Sequence, residues 1–79
     1  MEMANIYTAL TDIFHDVFGD DTIVVSPDLT ADDVVEWDSL SHIRLVLSVE
    51  KRFGVRFSAS ETGKLKNVGE LAGLIQTKL

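Results

Sequence analysis

Apolar residues return at helical spacing in three stretches of the chain, and the gaps between them set its plan. Ile6, Leu10, Ile13, Phe14 and Val17 recur every three or four positions, which predicts an amphipathic helix over residues about 4–18. Tyr7 and Phe18 widen its apolar face, and Gly19 marks its stop. A second periodic run goes from Ser39 to Phe53. Asp38 suits its start, because a carboxylate there accepts from the free N–H groups of the first turn. It also sits well against the positive end of the helix dipole. Gly54 can take the left-handed conformation that commonly ends a helix. Ser58-Ala59-Ser60-Glu61 reads as a capping box that opens a short helix, which Gly63 interrupts. Asn67 caps a last helix, with Glu70 at its third position. Val68, Leu71, Leu74 and Ile75 should form its buried face, and it ends near Lys78. Phe57 and Leu65 are expected to fill the core between these elements.

The second helix carries two apolar stripes. At roughly 100° per residue, Leu45, Val46, Val49 and Phe53 fall on one side, and Leu40, Ile43 and Leu47 on nearly the opposite one. One stripe makes the core. For the other, two readings stand: it packs beneath the short helix or the long loop, or it is a partner-binding strip that Arg44 flanks.

Residues 20–37 form that loop. Val25, Leu29 and one of Val34 and Val35 are its expected anchors. Ile23-Val24-Val25 has no second strand to pair with, so an extended segment is expected. A connection of this length in a small chain is usually functional or packed by its own side chains. Its Asp pairs lack the alternating ligands and central glycine of a calcium loop, so no metal is expected and they read as solvated or partner-facing. The fold class that follows is all-α: an up-and-down four-helix bundle of three longer helices and one short one, with a long first loop. Residues 1–79 make one domain.

Seventy-nine residues bury only a modest core. The chain has no cysteine, so it can form neither a disulfide framework nor a thiolate metal site. It opens on no basic segment followed by a long apolar run, so no signal peptide is expected. No apolar stretch approaches the roughly 20 residues of a membrane span, and a cytoplasmic location is expected. The net charge of -6 argues against nucleic acid as a partner. Its distribution says more. Residues 1–38 hold ten Asp and Glu and no Lys or Arg, whereas residues 39–79 hold three acids and seven Lys and Arg. Either the halves attract each other in the fold, or the surface is patterned for protein partners.

Ser39 is where chemistry enters. It opens a helix, and its hydroxyl is expected to face solvent. A hydrolase nucleophile is not expected: Trp37 and Ser41 stand where a Gly-x-Ser-x-Gly elbow needs glycine. His42, three positions on, points toward the core-facing stripe and is read as lining the entrance to the core. The rival reading makes Ser39 only a cap residue of a small helical protein-interaction module without cofactor.

Asp38-Ser39-Leu40, followed by Ile43, Leu45-Val46, Glu50 and Phe53, resembles the acyl carrier protein family. The resemblance runs from about Ile6 to Ile75. It implies that Ser39 carries 4'-phosphopantetheine, taken from coenzyme A, through a phosphodiester. It also implies a carrier rather than an enzyme, holding acyl or aminoacyl groups as thioesters. The thiol must be imported, because the chain has none, and a helix N-terminus favours the phosphate that comes with it. The implied partners are a phosphopantetheinyl transferase, an acyl- or aminoacyl-loading enzyme and downstream biosynthetic enzymes, with the carrier a monomer. For Asp38 the resemblance implies an aid to the transferase's magnesium, which stands beside its reading as a helix cap. Glu36 and Trp37 stand where the fatty-acid type commonly has small residues, and Arg44 where it usually presents glutamate. Trp37 either covers the loop–helix junction or touches the arm. In these features the chain is similar to stand-alone carriers of specialised pathways, such as polyketide, nonribosomal peptide or activated hydroxy-acid assembly.

Overall fold

Three of the four helices begin where the sequence supplies a side-chain cap. In the computed structural model, which describes residues 2–79, the four helices are α1 (Met3–Phe18), α2 (Ser39–Phe53), α3 (Ala59–Gly63) and α4 (Val68–Lys78). Asp38 Oδ1 accepts from Ser41 N at 2.8 Å to open α2. Ser58 and Glu61 exchange bonds of 3.1 and 2.9 Å to open α3, the reciprocal pattern of a capping box. Asn67 Oδ1 accepts from Glu70 N at 2.9 Å to open α4, and Glu70 Oε1 reaches back to Lys66 N at 2.8 Å. Gly19 and Gly54 close α1 and α2 in the left-handed region, with φ of 63° and 67°. Among the described residues there is no strand, so the all-α up-and-down bundle holds, with α3 as its short member.

The core lies between α1, α2 and α4. Ile6, Leu10 and Phe14 meet Leu45 and Val49 from α2, and Val68, Ala72 and Ile75 from α4, all fully buried. Val46 and Phe53, expected on the core side of α2, are half-buried at its margin. On α4 the buried set is Val68, Leu71, Ala72 and Ile75, and Leu74 is only half-buried. The stripe i, i+3, i+4, i+7 from Val68 passes through residue 72, and Leu74 lies about a quarter-turn round from Ile75.

The long loop is tied down by backbone. Val68 N donates to Leu29 O at 2.9 Å, and Gly69 N to Pro27 O at 3.0 Å, so two loop carbonyls satisfy N–H groups that the helix ladder leaves free. Close approach needs the missing side chain of Gly69: a Cβ there would stand 3.1 Å from Pro27 O. Ile23, Val25 and Leu29 pack on the core, and a His15 Nε2 to Ile23 O contact of 2.9 Å holds the loop to α1. Of the two candidate anchors, Val34 is buried and Val35 is 96% exposed. A short 3-10 turn, Ala31–Asp33, precedes them. Asp33 closes it by accepting from Thr30 N and Oγ1 at 3.0 and 3.1 Å, so this aspartate has a local structural task. No helix of the described residues is long and apolar enough to cross a membrane.

Candidate functional site

Ser39 is the first residue of α2 and is exposed. The capping bond of Asp38 consumes the Ser41 N–H, and His42 N starts the ladder with a 2.9 Å bond to Asp38 O. The N–H groups of Ser39 and Leu40 therefore lie ahead of the ladder at the positive end of a 15-residue helix. Such an end accommodates a phosphate, so the residues present fit a phosphodiester on the Ser39 hydroxyl. The Ser41 N–H also holds the Asp38 carboxyl below its ordinary value of 3.8, with the Ser41 side chain contributing next. At neutral pH Asp38 is thus ionised beside Ser39. Among the described residues, no three His, Asp or Glu side chains gather into a metal-binding group.

Trp37 stands behind the serine. Its ring meets Phe14 edge-on at 5.3 Å and tilts against Phe18 at 5.9 Å. At its edge its Nε1–H donates to His42 Nδ1 at 3.1 Å, with the two rings 20° from parallel and their centroids 6.1 Å apart. A neutral His42 therefore keeps its own proton on Nε2. The sequence left Trp37 between two places; it covers the loop–helix junction and reaches His42 as well. Together the two rings border a cavity of about 70 Å³ that Leu45, Val46, Leu65 and Leu71 line from within. His42 thus lines an entrance to the core, as its place on α2 suggested. His42 and Val46 also border an open groove of about 230 Å³ between α2 and α3, with Leu47, Phe57 and Ala59.

The outer stripe of α2 faces solvent. Leu40, Ile43 and Leu47 are 68%, 56% and 58% exposed, which excludes the reading that α3 or the loop covers them. Arg44 is exposed beside them. Val35, which the sequence offered only as a loop anchor, is exposed beside Val24 and Ile23 in the loop. Glu50, the one acid of α2, is half-buried: its Oε2 accepts from Phe57 N at 2.7 Å and closes the chain reversal after Gly54. Nothing in the α2 periodicity signals that bond, since its partner lies beyond the helix.

Comparison with known proteins matches this geometry. The family model described as "Phosphopantetheine attachment site" matches residues 8–75. An acyl carrier protein of Acidothermus cellulolyticus is 37% identical over 70 residues, covering 89% of this chain and 83% of its own. An acyl carrier protein of Myxococcus xanthus is 31% identical over 70 residues, covering 89% of each. The solution structure of a holo acyl carrier protein from Geobacter metallireducens superposes with a TM-score of 0.86 at 47% identity, over 91% of this chain and 83% of that one.

Proposed function

The chain belongs to the acyl carrier protein family, and on that premise we propose that Ser39 is the residue that bears its 4'-phosphopantetheine. The protein is a carrier and not an enzyme. Its cofactor supplies the thiol, absent from the chain, on which cargo is held as a thioester. The observation that carries the assignment is the exposed Ser39 at the first position of α2, at the N-terminal end of the helix dipole that favours a phosphate. The interaction-module reading gives way, because the family match brings the cofactor with it.

Intact mass is the test. Incubation with coenzyme A, magnesium and a promiscuous phosphopantetheinyl transferase should add the mass of one phosphopantetheine group to the unmutated protein. Ser39→Ala should add none while keeping its helical circular dichroism, since alanine is a good helix former. Retained loading in Ser39→Ala removes Ser39 from the role.

We further infer that the pathway is a specialised one, of the polyketide, nonribosomal peptide or related kind. The support is the face that α2 offers to other proteins. Arg44 and Lys51 are exposed on it, and Glu50 Oε2 is engaged by Phe57 N. Leu40, Ile43, Arg44 and Leu47 form the strip that partner enzymes contact, including the transferase and the acyl- or aminoacyl-loading enzyme. The whole of residues 1–79 acts as one monomeric carrier domain. It works in the cytoplasm, where coenzyme A supplies the arm.

A further inference from the structure

We propose that the hydrogen bond from Trp37 to His42 is a clamp that holds Ser39 in place while the arm is attached, so that both are positioning residues for loading. The inference rests on Ser39 as the attachment site and concerns how the fold presents it.

A serine at the first position of a helix is poorly held by the helix itself. The first four N–H groups have no partner in the ladder, and helix ends fray. Asp38, Ser39 and Leu40 are all exposed, so three residues outside the core carry the hydroxyl. The clamp closes around them. Trp37 precedes the stretch and His42 follows it, and Trp37 Nε1–H donates to His42 Nδ1 at 3.1 Å. His42 N also donates to Asp38 O at 2.9 Å. Ser39 thus lies inside a ring closed by side chains as well as by backbone.

The clamp is anchored at its Trp37 end. The ring meets the fully buried Phe14 edge-on at 5.3 Å and Phe18 at 5.9 Å. The Trp37 backbone N donates to the carbonyl of the buried Val34 at 3.0 Å. So α1 and the loop fix Trp37, and Trp37 fixes the first turn of α2 through His42. His42 stands three residues from Ser39, and side chains at that spacing are neighbours on a helix. In loading, the Ser39 oxygen bonds to the phosphorus of coenzyme A that carries pantetheine. That phosphorus releases adenosine 3',5'-bisphosphate, and the hydroxyl proton passes to a base of the transferase. Misplacing a reacting atom by about 1 Å can cost on the order of 100-fold in such a step. The exposed strip of Leu40, Ile43 and Leu47 lies outside the clamp, so the effect falls on kcat and not on KM.

The experiment times loading of the full chain by intact mass, with coenzyme A, magnesium and a promiscuous phosphopantetheinyl transferase, over a range of carrier concentrations. Each variant is measured at a temperature where circular dichroism shows it fully helical. Trp37→Phe removes the donor and His42→Leu the acceptor, and each should lower kcat by about tenfold to a hundredfold with KM nearly unchanged. The double variant should lose no more than the worse single one, because all three break the same bond. His42→Asn should recover most of kcat, since its side-chain oxygen is an acceptor near the place of Nδ1. The NMR signal of the indole N–H, from the single tryptophan, should move upfield in His42→Leu and stay in His42→Asn. If Trp37→Phe folds poorly, the two His42 variants decide. An unchanged kcat in His42→Leu overturns the clamp and leaves the attachment site standing. So does a rise in KM alone, which would make the pair a contact of the transferase, and so do losses that add in the double variant. His42→Asn that keeps the indole signal but loads as slowly as His42→Leu overturns it too. No mass gain on the unmutated protein removes the attachment site and the clamp's role together.

Discussion

Leu45 and Leu47 stand two residues apart on α2, one fully buried and the other 58% exposed. Truncating each to alanine removes the same atoms from the same helix, and leucine and alanine differ little in helix propensity. Only the surroundings differ. Leu45→Ala should cost about 2–5 kcal/mol, the range for buried leucines. The upper part of that range is expected, because the void joins the cavity of about 70 Å³ that Leu45 already lines, where no neighbour can collapse onto it. A chain of this size has roughly 4–12 kcal/mol to lose at about 0.05–0.15 kcal/mol per residue. At roughly 4–8 °C per kcal/mol, Leu45→Ala should melt at least about 8 °C early. Leu47→Ala should stay within about 0.5 kcal/mol of the unmutated protein, as exposed substitutions do. It should instead slow loading by partner enzymes. Urea melts followed by helical ellipticity, and by the fluorescence of Trp37, the single tryptophan, measure both variants. Equal destabilisation by the two would mean that the outer stripe is core and that no partner strip exists.

The glycines of α4 make a second matched pair. Gly73→Ala meets nothing within 4 Å and should stabilise by up to about 1 kcal/mol. Gly69→Ala sets a Cβ 3.1 Å from Pro27 O and 3.3 Å from Pro27 Cβ, so displacement of the loop should outweigh that gain and lower the urea midpoint. The Ser58 N–H, and after it Lys78, hold the Glu61 carboxyl below its ordinary 4.5. A depressed folded value means stability that is present above the ordinary value and lost as pH falls through the folded one. Against Glu61→Gln, the unmutated protein's advantage in urea melts should therefore be full at neutral pH and shrink below 4.5; an advantage independent of pH would refute the linkage. A fatty-acid malonyltransferase should transfer poorly to the arm of the unmutated carrier and better to Arg44→Glu, with a gain that fades at high salt. Efficient transfer to both would show that the charge of α2 does not choose the partner.

The helices were legible because their signals are local. Asp38, Ser58 and Asn67 each stand next to the turn they cap, and the helix period alone assigns Leu45 and Leu47 to opposite sides. Ser39 inherits its place from its neighbour's cap. The loop was legible only in outline. Whether Val34 or Val35 turns inward depends on the phase set by the 3-10 turn, which Thr30 and Asp33 close. The docking of Pro27 and Leu29 on α4 uses backbone carbonyls, and those leave no mark in residue type. The cavity under Trp37 and His42 needs the loop, α2 and the segment before α4 at once, so no single stretch announces it.

A helix that recognises partners uses its charged residues, and in α2 the fold engages one oxygen of the only negative one. Glu50 Oε2 takes the Phe57 N–H, and Val55 N donates to Glu50 O at 3.1 Å, so residue 50 builds the reversal into α3. Arg44, Lys51 and Arg52 stay in solvent along the same helix, while Asp32 and Glu36 stay exposed in the loop just before it. Ser39 thus sits at a boundary, with acids on the chain before it and cations on the helix after it. A partner approaching the arm meets both signs within one helix length. Matching that order discriminates by orientation as well as by charge, since a uniformly basic surface turned toward the loop acids also presents like charge to Arg44.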